Sequence, residues 1–236
     1  MIGMSETSSR SRADACHYHA DPEAATEFAR TLLDWFGLNG RRYPWRESAI
    51  PYRVFVAECM LQRTDPGHVV AVYDEFLRRY PTPESAFQAP DKEFRELMRP
   101  LGLAQRSMLL KKALGEVVEG YDGKIPCTED ALVGLPGVGL YTARAVLCFA
   151  YGWDLALIDV NTVRVLDRVL GLRSARARPH TDRDLWKAVD TIVPTGHGRE
   201  LNLAMIDFAA LVCSRRSPKC RECPITTTCQ WTEGCL

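Results

Sequence analysis

Leu135-Pro136-Gly137-Val138-Gly139-Leu140-Tyr141-Thr142-Ala143 is a tight turn that runs directly into a helix. Upstream, Thr128 suits an N-cap, with Glu129 and Asp130 in the first turn. A short helix therefore runs to about Leu135, and a second runs from the turn through Ala150. The two glycines allow positive φ and close approach by another backbone. The second helix offers its free N–H groups and positive dipole end at the turn. A turn of this kind can hold a phosphate through the backbone without reading sequence. A bare G-x-G serves an ordinary interhelical turn equally well; the surrounding L-P-G-V-G is more specific.

The rest of the chain has the same helical period. Val69, Val72, Tyr73, Phe76 and Tyr80 recur at three- and four-residue steps, as do Leu109, Leu110, Ala113 and Val117. Leu185, Trp186, Val189 and Ile192 repeat the pattern after an expected start at Thr181. Pro51, Pro66, Pro83 and Pro90 fall near helix starts, where a missing N–H is harmless. No segment alternates as a strand would. About ten helices with short connections are expected.

The 236 residues suffice for one large domain or two small ones. No apolar run approaches the roughly 20 residues that span a bilayer, so no membrane partner is expected. Residues 1–21, rich in Ser, Arg, His and Ala, read as a disordered leader and not as a secretory signal. Thirty basic residues balance thirty acidic ones, which counts mildly against a nucleic-acid binder unless the charge is localised. It is localised: Arg215, Arg216, Lys219 and Arg221 stand against Glu222 alone between Cys213 and Cys223. A solvated loop would explain that patch equally well by itself.

Nine cysteines, an odd number, in so helical a chain do not suggest a disulfide scaffold, and an intracellular location is expected. Cys59 and Cys148 lie in apolar stretches and read as small core residues. Cys16 and Cys235 lie in the expected tails, and Cys127 near a helix start. Cys213, Cys220, Cys223 and Cys229 are different, with spacing C-x6-C-x2-C-x5-C in a stretch held in loops by Pro218 and Pro224. Four thiolates that close in sequence can surround one metal centre, either zinc or an iron-sulfur cluster.

Leu135 to Ala143 resembles the helix-hairpin-helix of base-excision DNA glycosylases. Asp159, twenty residues past Gly139 in Ile158-Asp159-Val160-Asn161, matches the aspartate of that family. The four-cysteine run is similar to the family's [4Fe-4S] loop. The resemblance covers about Asp21 to Cys229. It implies an all-α fold of two helical lobes with a DNA groove between them. Residues 47–153 would form a six-helix bundle carrying the hairpin, and 22–46 with 154–236 the cluster lobe. It also implies a monomer acting on double-stranded DNA that holds a mismatched or damaged base. Leu135, Gly137, Val138 and Gly139 would hold the DNA backbone. The cluster would aim Arg215, Arg216, Lys219 and Arg221 at phosphates.

The resemblance assigns Asp159 to stabilising the positive charge that develops on the sugar as the glycosidic bond breaks. Helix capping is the plain alternative, and both roles can coexist. Where endonuclease III-like members hold a lysine that forms a Schiff base, this chain has Tyr141. A phenol cannot form one, so the strand is expected to stay intact. Glu58, alone in Phe55-Val56-Ala57-Glu58-Cys59-Met60-Leu61, is costly to bury without a purpose. It aligns with a general acid of the adenine glycosylases. Gln62 and Arg63 match a loop that enters the duplex, and Leu103 an apolar wedge.

Two target bases compete: thymine or uracil opposite guanine, and adenine opposite guanine or 8-oxoguanine. Gln62-Arg63-Thr64, Gly102-Leu103-Ala104-Gln105-Arg106, Asp159-Val160-Asn161 and the stretch NLAMIDF from Asn202 to Phe208 resemble the thymine/uracil mismatch group. Only seven residues follow Cys229, where adenine enzymes usually add a domain. Glu58 keeps adenine open. A non-catalytic DNA-binding module is the third reading, and the presence of both carboxylates argues against it.

Overall fold

The computed structural model describes residues 17–102 and 104–231, and only the backbone of 104–106. Leu103, Cys16, Cys235 and most of the expected leader lie outside the described residues. Among those described there are eleven α-helices and no strand; one antiparallel bridge joins His17 to Arg173. No helix described is long and apolar enough to cross a membrane.

The prolines sit where their chemistry places them. Pro51, Pro66 and Pro83 open α2 (Pro51–Leu61), α3 (Pro66–Arg79) and α4 (Pro83–Gln88), and Pro90 caps α5 (Asp91–Met98). With α6 (Ala104–Tyr121), α7 (Glu129–Gly134) and α8 (Leu140–Tyr151) these helices make the first lobe. Its core includes Phe55, Phe76, Phe94, Leu114 and Leu147. The second lobe combines α1 (Pro22–Asn39) with α9 (Val160–Leu170), α10 (Arg183–Asp190) and α11 (Gly198–Leu211). It closes around Phe28, Leu32, Leu166, Trp186 and Phe208. Thr181 does not start α10; Asp182 caps it, accepting from Asp184 N. Asp182 also takes the Tyr18 hydroxyl at 2.7 Å and a bond from Ser174, so its carboxylate fixes the incoming loop as well as the helix.

Arg144 ties the lobes together. Buried in α8, it donates to Glu129 Oε2 and to Asp190 Oδ1, both at 2.8 Å, and lies 4.8 Å from the Trp186 ring. Asp190 also accepts from Ala156 N. The hairpin helices are thereby fastened to α10. Removing one partner of so buried a network would leave a charge uncompensated.

In the hairpin only Gly137 needs its missing side chain for local reasons. Its φ is +78°, and a Cβ there would stand 3.0 Å from Leu109 Cβ. Gly139 has φ −95° and open space around it. The expectation that both glycines serve positive φ therefore holds for Gly137 alone. Leu135 and Val138 turn their side chains inward, 3% and 7% exposed, which leaves the hairpin backbone as the outward-facing element.

Candidate active site

A cavity of about 500 Å³ opens where the lobes meet. Helix α2 contributes Glu58, α8 contributes Tyr141, and the start of α9 contributes Asp159. Three residues far apart in sequence are thus brought to one hollow.

Asp159 is the N-cap of α9. Its Oδ1 accepts from Asn161 N and Thr162 N at 2.8 Å each, and Oδ2 accepts from Asn161 Nδ2 at 3.0 Å. Thr162 answers through its hydroxyl, completing a capping box. Asn161 in turn accepts from Arg164, whose Nε donates to the Cys213 carbonyl at 3.0 Å. The carboxylate is held rigidly, with its free edge on the cavity.

Glu58 is 7% exposed and makes no hydrogen bond or ion pair among the described residues. Burial raises its pKa, Arg46 and Arg199 oppose the rise, and the result is about 7. Tyr141 is half-buried beside both carboxylates. Desolvation, then Glu58 and Asp159, push its phenol well above the usual range. No lysine lines the cavity.

The opposite wall was not foreseen. Asp207 of α11 accepts from Arg41 Nε at 2.7 Å and Arg46 Nη1 at 2.8 Å. Burial would raise this carboxylate, but bonds from both arginines outweigh it and hold it low. Tyr43 stacks on Trp45 at 4.8 Å, with both guanidiniums near its ring. Asp207 is a lone carboxylate in an apolar run, Met205-Ile206-Asp207-Phe208, so the reasoning that singled out Glu58 could also have found it. Arg199 carried no such signal.

Gln62 and Arg63 sit on the rim. Gln62 Nε2 donates to Gly137 O at 3.0 Å and Thr142 Oγ1 at 3.2 Å, so the loop is fastened to the hairpin. Arg63 is exposed and has φ +58°, a strained value for a side chain of its size.

The four cysteines of the run line a second cavity of about 320 Å³. Cys213, Cys223 and Cys229 are free thiols. Among the described residues no group of three or more His, Cys, Asp or Glu is placed to hold a metal ion. Arg168 donates to Cys213 Sγ at 3.5 Å and to Ser214 O at 2.8 Å, and lies 4.0 Å from the Trp231 ring. Arg215, Arg216, Lys219 and Arg221 are exposed and form no ion pair among the described residues.

A hairpin that keeps an open glycine beside a cleft places the chain among the helix-hairpin-helix proteins. The chain belongs to the HhH-GPD superfamily of base excision DNA repair proteins, whose family model matches residues 56–191. It is 43% identical to a thymine-DNA glycosylase of Aeropyrum pernix, over 85% of this chain and 92% of that one. It is 42% identical to a thymine/uracil-DNA glycosylase of Pyrobaculum aerophilum, over 85% and 89%. Adenine DNA glycosylases match at 30–33%. The solved structure of a thermostable thymine-DNA glycosylase superposes with a TM-score of 0.85 at 36% identity, covering 90% of this chain and 98% of that one.

Proposed function

We propose that the protein is a monofunctional DNA glycosylase that hydrolyses the N-glycosidic bond of thymine or uracil opposite guanine and leaves an abasic site. The observation that carries this reading is the convergence of Glu58, Tyr141 and Asp159 on one cavity beside the hairpin. Relatives named for thymine and uracil match more closely than those named for adenine. The target base leaves the helix and enters the cavity. Asp159, fixed by its cap bonds, stabilises positive charge at C1′ and takes the proton of the attacking water. Glu58, raised to about 7, is substantially protonated at neutral pH and gives its proton to the departing base. With Tyr141 where a Schiff-base amine would stand, and no lysine in the cavity, C1′ is attacked by water alone. Labelled duplexes with G/T, G/U, A/G and A/8-oxoguanine pairs test all of this. Base release from G/T and G/U, with strand breaks only after alkali, is expected. Release from the adenine pairs alone would transfer the activity to the second reading, which Glu58 favours. Breaks without alkali would overturn the role given to Tyr141.

In this reading the hairpin backbone receives a phosphate of the DNA. Gly139 has room for it, and α8 supplies its N-terminus. Arg215, Arg216, Lys219 and Arg221 hold further phosphates. Arg63 and Gln62 enter the duplex, the latter after releasing Gly137 and Thr142. Gly139→Ala is expected to melt close to wild type and to bind duplex about tenfold more weakly. Gly137→Ala is expected to lose about 1–3 kcal/mol of stability. Thermal melting and duplex titration check both; equal melting losses would remove the distinction.

Cys213, Cys220, Cys223 and Cys229 would hold a [4Fe-4S] cluster. The donor set fits in kind: four cysteines line one cavity. Bound there, the cluster would close the loop and leave no open position for catalysis. Protein purified without air should be yellow-brown, with broad absorbance near about 400 nm and four irons per chain. Colourless protein with one zinc would overturn the assignment.

A further inference from the structure

Arg199 lies in the first turn of α11 and lines the cavity, half-buried. Its Nη1 donates to Phe149 O and its Nη2 to Arg46 O, at 2.5 and 2.6 Å. It forms no ion pair among the described residues, and its Nε–H has no acceptor there. Arg41 and Arg46, by contrast, share the Asp207 carboxylate. Two cations of the cavity lack an ion pair among the described residues, Arg63 and Arg199; Arg63 is exposed on the rim, whereas Arg199 is half-buried and pinned by two carbonyls rather than neutralised.

We propose that Arg199 is a further catalytic residue, one that holds the negative charge gathering on a departing pyrimidine. The inference rests on the glycosylase reading above. When the C1′–N1 bond breaks, its electron pair leaves with the base. In thymine and uracil it spreads over N1, O2 and O4. These carbonyls are weak bases, so proton transfer from Glu58 lags behind bond cleavage and charge accumulates. Water adds its oxygen to C1′ and gives a proton to Asp159; the base anion takes its proton from Glu58. A fixed cation in a partly dry cavity stabilises that anion without reorganising. Adenine leaves differently. Its ring nitrogens accept a proton first and it departs neutral, so the same cation opposes its protonation. Arg199 would thus also select for pyrimidines.

Single-turnover release of thymine, uracil and 5-fluorouracil opposite guanine tests the proposal. Arg199→Gln keeps amide donors for the two carbonyls but removes the charge. It should release thymine about 10²-fold more slowly than wild type and 5-fluorouracil, whose fluorine already draws charge from the ring, much less so. Duplex affinity should stay within about twofold. Equal slowing on all three bases would reduce Arg199 to a fastening for Arg46 and Phe149, and unchanged rates would remove it from the reaction. If Arg199→Gln does not fold, Arg199→Lys decides. It keeps the charge and should preserve the wild-type ratio of 5-fluorouracil to thymine rates; a ratio shifted toward 5-fluorouracil overturns the proposal. Wild-type protein that releases none of the three pyrimidines would instead sink the glycosylase reading itself.

Discussion

Asp159→Asn should fold, melt within a few degrees of wild type, and release base about 10³-fold more slowly. The two halves of this expectation come from different atoms. Oδ1 caps α9 by accepting from Asn161 N and Thr162 N. An asparagine oxygen caps about as well, so the helix start survives. What disappears is the charge. A neutral amide can neither balance developing positive charge at C1′ nor take the proton of a water. The new amide nitrogen would face Asn161 Nδ2, which now donates to Oδ2. That contact requires one side amide to turn and costs little at a half-open rim. Asp159→Ala is a poorer test, because it also removes the cap, worth about 0.5–2 kcal/mol. Melting curves and single-turnover release from G/T duplex decide the matter. Release at the wild-type rate by a folded Asp159→Asn protein would eliminate the mechanism.

The parts of this molecule that were legible in sequence are those written in local chemistry. The hairpin depends on Pro136, Gly137 and a helix start within a few residues, and it could be read directly. The proline-led helices were equally plain. Thr181 misled because Thr and Asp both cap helices; Asp182 prevails because it also gathers Tyr18 and Ser174, which lie outside its helix. The wall formed by Arg41, Arg46 and Asp207 spans more than 160 positions. Arg199 reaches Phe149 and Arg46 across 50 and 153 positions. An arginine in a helix's first turn has no pattern that marks it, since its meaning lies in carbonyls supplied by residues far away in the chain. Gln62 shows the same limit: nothing local says that its amide rests on Gly137. Glu58 was visible only because a charge in an apolar run demands an explanation.

That explanation has a direct thermodynamic consequence. At pH 8, Glu58→Gln should be more stable than wild type, by on the order of 3 kcal/mol at most, and about 10²-fold slower. The ordinary carboxyl value of 4.5 is raised to about 7 by burial, against the pull of Arg46 and Arg199. Between those two values the folded protein holds a proton that the unfolded chain has lost. Wild-type stability therefore falls as pH rises from about 4.5 through about 7, and levels off above. Glutamine has the same shape, stays neutral, and escapes that loss. For the reaction the sign is the same but the beneficiary differs. Only protonated Glu58 can donate, so wild-type release should decline as pH passes about 7. Its neighbours Tyr141 and Cys59 are pushed upward, away from this window. The variant should show no such decline. Thermal melting at pH 5 and pH 8, with single-turnover rates across the same range, separates the two effects. Equal rates for the two proteins would remove Glu58 from the chemistry even if the stability gain appeared. Absence of the stability gain would mean that the Glu58 carboxylate remains solvated through the open mouth of the cavity, and the expected decline near pH 7 would then have to come from another group.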